Sequence, residues 1–113
     1  MMSMNGTLDG TQFLSAETVE FAHIPLPWLK DHVVARNVTF STGGWGLFMS
    51  FPGTESTSWT GWGGVGGSLV FWNREKGLSF SYVMNSLSLN GIGDQRGWAL
   101  IKAFVESFEK TET

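Results

Sequence analysis

Two strand-like runs joined by a short polar loop constrain this chain more than any other feature. Ser68-Leu-Val-Phe-Trp72 is strand-like in composition. Leu78 to Met84 alternates cleanly, with Leu78, Phe80, Tyr82 and Met84 on one face and Ser79, Ser81 and Val83 on the other. Between them, Asn73-Arg-Glu-Lys-Gly77 is polar and ends on a glycine able to take the positive φ of a tight loop. The three segments together predict an antiparallel hairpin.

A half-apolar sheet needs a cover, and the C-terminal segment supplies one. Asp94 stands where an N-cap belongs, and Trp98, Ile101, Phe104, Val105 and Phe108 recur at helical spacing through about Lys110. Trp45 to Phe51 reads as a further strand, closed by the turn pair Pro52-Gly53. The expected fold class is α+β: three or more antiparallel strands covered by a C-terminal amphipathic helix.

The rest of the chain is less explicit. Residues 1–13 carry no periodicity and are expected to be a loop or disordered leader. Ser15 can cap a short helix over Leu14 to Ala22, with Glu17 in its first turn and Pro25 and Pro27 ending it. Val33, Val34 and Val38 favour extended structure weakly. Glu55 to Thr60 reads as a loop or exposed edge, and Asn85 to Gly93 as a loop. Residues 14–110 thus form the folded body and 111–113 a tail.

Composition narrows the functional classes. The chain has 113 residues, one domain or part of one, and 15% of them are charged. The usual charged share is about 25%. With 42% hydrophobic residues, this points to a glycine-rich β protein or a piece of a larger core. A net charge of −3 and scattered Lys and Arg give no footprint for nucleic acid. The absence of cysteine excludes disulfides and Cys-based zinc sites. No basic-plus-apolar leader and no run near the ~20 apolar residues of a membrane span is visible, so a cytoplasmic location is the default expectation and no membrane partner is expected. The sequons at Asn5 and Asn37 then read as chance matches.

Several motifs match only formally. Gly61-Trp-Gly-Gly-Val-Gly66 fits G-x-G-x-x-G, but a dinucleotide site needs a helix after the glycines, and Leu69-Val-Phe-Trp72 is strand-like. No cofactor is expected. His23 and His32 stand nine apart with two prolines between them, which is not metal-ligand spacing. Ser107-Phe-Glu-Lys110 is a formal S-x-x-K, yet it ends the terminal helix, whereas that nucleophile motif belongs at the start of a buried one. Tyr82 is followed by Val83 and Met84, so no Y-x-N exists, and no G-x-S-x-G elbow surrounds Ser68. Trp62 is flanked by glycines that offer its ring nothing to pack against, as on a cleft wall.

The glycine-rich segment resembles the third motif region of the serine β-lactamase-related family, which includes class C β-lactamases and family VIII esterases. Trp62-Gly63-Gly64 is similar to the family's K-T-G or H-x-G triplet, and Val65-Gly66-Gly67-Ser68-Leu69-Val70-Phe71 to its continuation. Asn73 to Leu87 resembles the next hairpin strand, and Gly93-Asp94-Gln95-Arg96 the G-D-x-R opening of the terminal helix. Leu14 to Val19 and Gly43 to Met49 resemble the short helix and strand before the triplet. The resemblance covers residues 14–110.

It implies the C-terminal third of a β-lactamase/transpeptidase-like fold. It also implies an acyl-enzyme hydrolase whose intact form attacks an ester, amide, peptide or β-lactam. By residue-for-residue transfer, Val65 N–H would be an oxyanion-hole donor, and Trp62, Gly63 and Gly64 would border substrate. Trp62 supplies no cation for a carboxylate, which favours neutral esters. The S-x-x-K and Y-x-N motifs are missing, so the chain alone is expected to be inactive. A non-catalytic binding module using the Trp62 wall is the alternative. Strands of the family sheet that this chain lacks would leave an unpaired edge and exposed apolar surface, open to self-association.

Overall fold

A computed structural model describes residues 1–33, 35–48 and 59–112. In chain order, a 3-10 turn over Met2–Met4 leads to β1 (Thr7–Leu8), β2 (Thr11–Gln12) and α1 (Ala16–Ala22). β3 (Leu29–Asp31), β4 (Arg36–Val38), β5 (Gly46–Phe48), β6 (Trp59–Gly63), β7 (Val65–Gly66) and β8 (Leu69–Asn73) follow. β9 (Leu78–Tyr82), β10 (Ser88–Ile92) and α2 (Gln95–Glu112) complete the chain.

The main sheet is antiparallel with order β5-β6-β8-β9. The β8–β9 hairpin has the register that the alternation predicts, Asn73 opposite Leu78 and Phe71 opposite Phe80. Gly77 takes φ +64 at the end of its loop, and Asn73 Oδ1 accepts the Lys76 N–H at 2.9 Å, closing the turn. The α+β fold with a C-terminal covering helix is as expected.

One face of the sheet packs on α2. Trp59, Leu69 and Phe71 from the strands meet Ile101 and Val105 from the helix, each no more than 3% exposed. Leu78, Phe80, Trp98 and Phe104 pack around this cluster. Gly97 lets the helix lie close: a Cβ there would stand 2.6 Å from a Leu69 methyl. All five residues of the expected helical stripe are buried or half-buried.

The N-terminal segment covers the opposite face. Ser15 caps α1 as expected, its Oγ accepting the Thr18 N–H at 3.1 Å. His23, which ends α1, donates from Nδ1 to the Val19 carbonyl at 2.6 Å and accepts the Trp72 indole N–H at Nε2, 2.8 Å away. That pair of bonds fixes one neutral tautomer and ties α1 to β8. Arg74 adds a bond to the Glu20 carboxylate at 2.7 Å and one to Asn5 Oδ1 at 3.1 Å.

Four readings are corrected. Residues 1–13 are not a structureless leader: Ser3 is buried, and β1 and β2 form a hairpin turning through Asp9 and Gly10, both at positive φ. Trp59 and Thr60 are not a loop or exposed edge but buried strand, in the centre of the sheet. Part of the expected loop between Asn85 and Gly93 is β10, paired with β7 through an irregular register. Val33 is not extended; it sits 94% exposed in the turn between β3 and β4. Of the expected strand Trp45 to Phe51, Gly46–Phe48 is observed, and Met49 to Phe51, with the Pro52-Gly53 turn, lies outside the described residues.

Candidate active site

The glycine-rich segment spans the end of β6 and the tight turn into β8. Gly63 is opposite Leu69 in the ladder, and Gly64 donates to the Ser68 carbonyl at 2.7 Å, closing the turn. The Gly67 N–H returns to the Gly64 carbonyl at 3.2 Å, and the Gly93 N–H reaches the same oxygen at 3.4 Å. This Gly64 carbonyl is therefore the junction of the turn with the segment that opens α2.

The glycines answer mainly to close approach within the chain. A Cβ at Gly61 would overlap the Val70 carbonyl oxygen and stand 2.8 Å from Phe71 Cα. At Gly66 it would meet the Leu87 side chain at 2.5 Å. Gly67 has φ +114, and a Cβ there would stand 2.8 Å from Asp94 Oδ2. Gly64 differs, since a Cβ would find nothing nearer than the Ser68 carbonyl oxygen at 3.8 Å.

Asp94 holds this turn against the helix. Its Oδ1 accepts the Gly97 N–H at 3.0 Å, capping α2, while Oδ2 accepts from Arg96 Nε at 2.7 Å and also from Nη2. Arg96 Nη2 reaches on to the Ser86 carbonyl at 2.8 Å, tying in the loop after β9. The bond from Arg96, followed by that from Gly97, holds the Asp94 carboxyl below the ordinary aspartate range. Glu20 is held low in the same way, first by its hydrogen bond with Arg74.

Depressed carboxyl values give stability that is full above the unfolded-state range near pH 4 and lost as pH falls through the native value. Thermal melting from pH 7 down to pH 2 should therefore show a falling acid limb. In Asp94→Asn the melting temperature should lie several degrees lower at pH 7, and the gap from the parent should close toward pH 2. A gap of constant size would show that charge at Asp94 contributes nothing.

The site residues expected from the sequence fall in one place with unequal exposure. Val65 is 75% exposed and Gly64 is exposed, at the outer end of the turn. Gly63 is buried, opposite Leu69. Trp62 is half-buried, and it does have neighbours: its ring lies where a Gly46 Cβ would be, and it stacks at a tilt on Phe40, centroids 5.3 Å apart. The glycine that accommodates Trp62 is thus across the ladder rather than beside it in sequence. Asp94 caps α2 as the sequence predicts; what the sequence reading missed is that Arg96 turns back onto Asp94 and reaches Ser86, although the G-D-x-R spacing was visible.

Neither serine of the formal motifs is free of a neighbour. Ser107 Oγ donates to the Ala103 carbonyl at 2.7 Å on an exposed stretch of α2, and Ser68 Oγ points to the Met84 sulfur at 3.7 Å. Among the described residues no group of three or more His, Asp or Glu is gathered as a metal would require, and no helix is long and apolar enough to cross a membrane.

No protein-family profile and no curated protein sequence matches the chain. Solved structures do. A family VIII carboxylesterase superimposes with a TM-score of 0.80 at 28% identity, over 93% of this chain and 28% of that one. A penicillin-binding protein homolog from Caulobacter crescentus gives 0.80 at 29% identity, over 94% of this chain and 29% of that one. The chain therefore spans less than a third of the length of these relatives. With the triplet turn, the following hairpin and the G-D-x-R helix in the expected order, the chain has the fold of the C-terminal part of a serine β-lactamase-related domain of the penicillin-binding-protein-like superfamily.

Proposed function

We propose that the chain forms one wall of a serine-hydrolase acyl-transfer site, with Val65 N–H as an oxyanion donor and Gly64 and Trp62 bordering the substrate. Attack of a serine hydroxyl on a carbonyl carbon places negative charge on the carbonyl oxygen. A fixed backbone N–H near that oxygen stabilises it, and losing one such donor costs about 10²–10³ in rate. The observation that carries the reading is the open space at Gly64, next to the exposed Val65 and on a turn fixed to α2. Trp62 brings no cation, so neutral esters suit this wall better than carboxylate-bearing β-lactams.

Neither serine that the formal motifs single out is poised as the attacking group: Ser107 bonds its own helix and Ser68 faces Met84. The purified chain should therefore show no turnover of 4-nitrophenyl butyrate or a chromogenic cephalosporin above the buffer rate. Turnover abolished by Ser107→Ala would overturn this. Because the Trp62 ring is half-exposed, a non-catalytic binding module is the second reading. Saturable quenching of tryptophan fluorescence by the ester, lost in Trp62→Ala and without turnover, would favour it.

A further inference from the structure

The end of α1 is fastened to the sheet through a titratable ring, and the chemistry of its two partners fixes the form that ring must take. His23 Nδ1 lies 2.6 Å from the Val19 carbonyl oxygen, and Nε2 lies 2.8 Å from the Trp72 indole nitrogen. A carbonyl oxygen only accepts and an indole N–H only donates. His23 must therefore carry its proton on Nδ1 and present a lone pair at Nε2. A second proton would land on Nε2, opposite the indole N–H, and leave two donors facing each other.

The surroundings make that loss costly. Trp72 is 4% exposed, with the His23 and Trp45 rings each set edge-on to it, centroids 5.9 and 5.0 Å away. A buried indole N–H left without an acceptor destabilises the docked state. Among the described residues, the charged groups on the elements around the ring are Glu17 and Glu20 of α1 and Arg74, next to β8; Trp45 and the turn at 41–44 carry none. Glu20 is coupled to His23, but its carboxylate is already bonded to Arg74 at 2.7 Å, and that bond rather than His23 is the main cause of its low value. The end of α1 also holds the turn that leads into β5: the Ala22 carbonyl accepts the Gly43 N–H at 2.9 Å, and the Ile24 carbonyl the Thr42 N–H at 2.8 Å.

We propose that His23 is a pH-sensitive latch between α1 and the sheet: with a neutral ring it holds the end of α1 on Trp72, and with a protonated ring it lets that end go. The docked state needs the Nε2 lone pair and the released state does not, so falling pH shifts the population toward release. The stability that the latch contributes is present at neutral pH and is lost in the acid direction, as the ring takes up its second proton. The element that moves is the end of α1 with the turn it holds. The packing of α2 on the opposite face of the sheet uses none of these bonds.

The chain has two histidines, His23 and His32, and histidine is the side chain that ordinarily changes charge between about pH 7 and pH 5. In the full chain at about pH 7, nitrogen NMR of the imidazoles should show the Nδ1–H tautomer at His23. The Trp72 indole N–H signal is assigned by its loss in Trp72→Phe. On going to about pH 5 that signal should move, and the hydrogen-exchange protection of the α1 amides should fall roughly tenfold while that of β8 and α2 holds. His23→Gln places an uncharged acceptor near the Nε2 position and should abolish this pH dependence, whereas His32→Gln should leave it unchanged. An Nε2–H tautomer at His23 at neutral pH would overturn the proposal. So would an indole signal and α1 protection that stay fixed across the pH range, or a fall in α1 protection of equal size in His23→Gln.

Discussion

Trp59→Ala should leave the chain without a cooperative unfolding transition. Trp59 is 1% exposed, lies on a central strand, and joins Leu69, Phe71, Ile101 and Val105 between sheet and helix. Truncating a buried tryptophan costs about 3–5 kcal/mol, through lost apolar burial and the cavity left behind. Native domains have only about 5–15 kcal/mol in total. A domain of this size has few other core side chains to redistribute the loss, and β6 carries only glycine, threonine and the half-buried Trp62 around it. Urea unfolding followed by far-UV circular dichroism should show a broad, early transition, with near-UV signal lost. Trp59→Phe should recover most of the cooperativity. Trp28→Ala is the control: Trp28 is 62% exposed, and its truncation should change stability by no more than about 0.5 kcal/mol. Equal effects at the two tryptophans would mean that the core is elsewhere.

That Trp59 is the centre of the core was not legible in the sequence, and the reason is physical. Thr60, Gly61 and Gly63 give the segment no alternation of apolar and polar side chains, and glycine argues against strand on entropy grounds. The strand exists because its neighbours on both sides pair with it, and Gly61 is needed where β8 passes close, as Gly46 of β5 is for the Trp62 ring. A propensity argument sees the entropic cost and not the tertiary contact that offsets it. β10 was hidden for a similar reason, since its pairing with β7 is irregular and Asn90-Gly91, a turn-like pair, interrupts Ser88 to Ile92.

Elements with a local signature were legible. The period-2 run through Leu78, Phe80 and Tyr82 and the helical stripe from Trp98 to Phe108 each state which face turns inward, and the first is half-buried and the second buried or half-buried on that face. The β1–β2 hairpin could have been found too. Asp9-Gly10 is the dipeptide of a two-residue turn with both residues at positive φ, and they take φ +49 and +78. Of the site, the triplet turn was legible through its resemblance to a family. The division of labour among its glycines was not, because that depends on Asp94, Leu87 and Val70, which are brought in by the fold.

That division of labour gives the second large effect, a contrast between two glycines three residues apart. Gly61→Ala should prevent folding: the new Cβ overlaps the Val70 carbonyl oxygen and presses on Phe71 Cα, backbone atoms that cannot turn aside. Relief requires separating β6 from β8, which would also uncover Trp59. Gly64→Ala should leave the fold intact, within about 1 kcal/mol of the parent, because its Cβ enters open space. Thermal melts of the two variants separate these outcomes directly. If Gly64→Ala unfolds the chain as Gly61→Ala does, the turn has no room beside it and the proposed acyl wall fails. If Gly64→Ala melts like the parent, the fold does not require glycine there. The reason for a bare backbone at that position is then outside this chain's own packing, where a substrate carbonyl approaching Val65 N–H would pass.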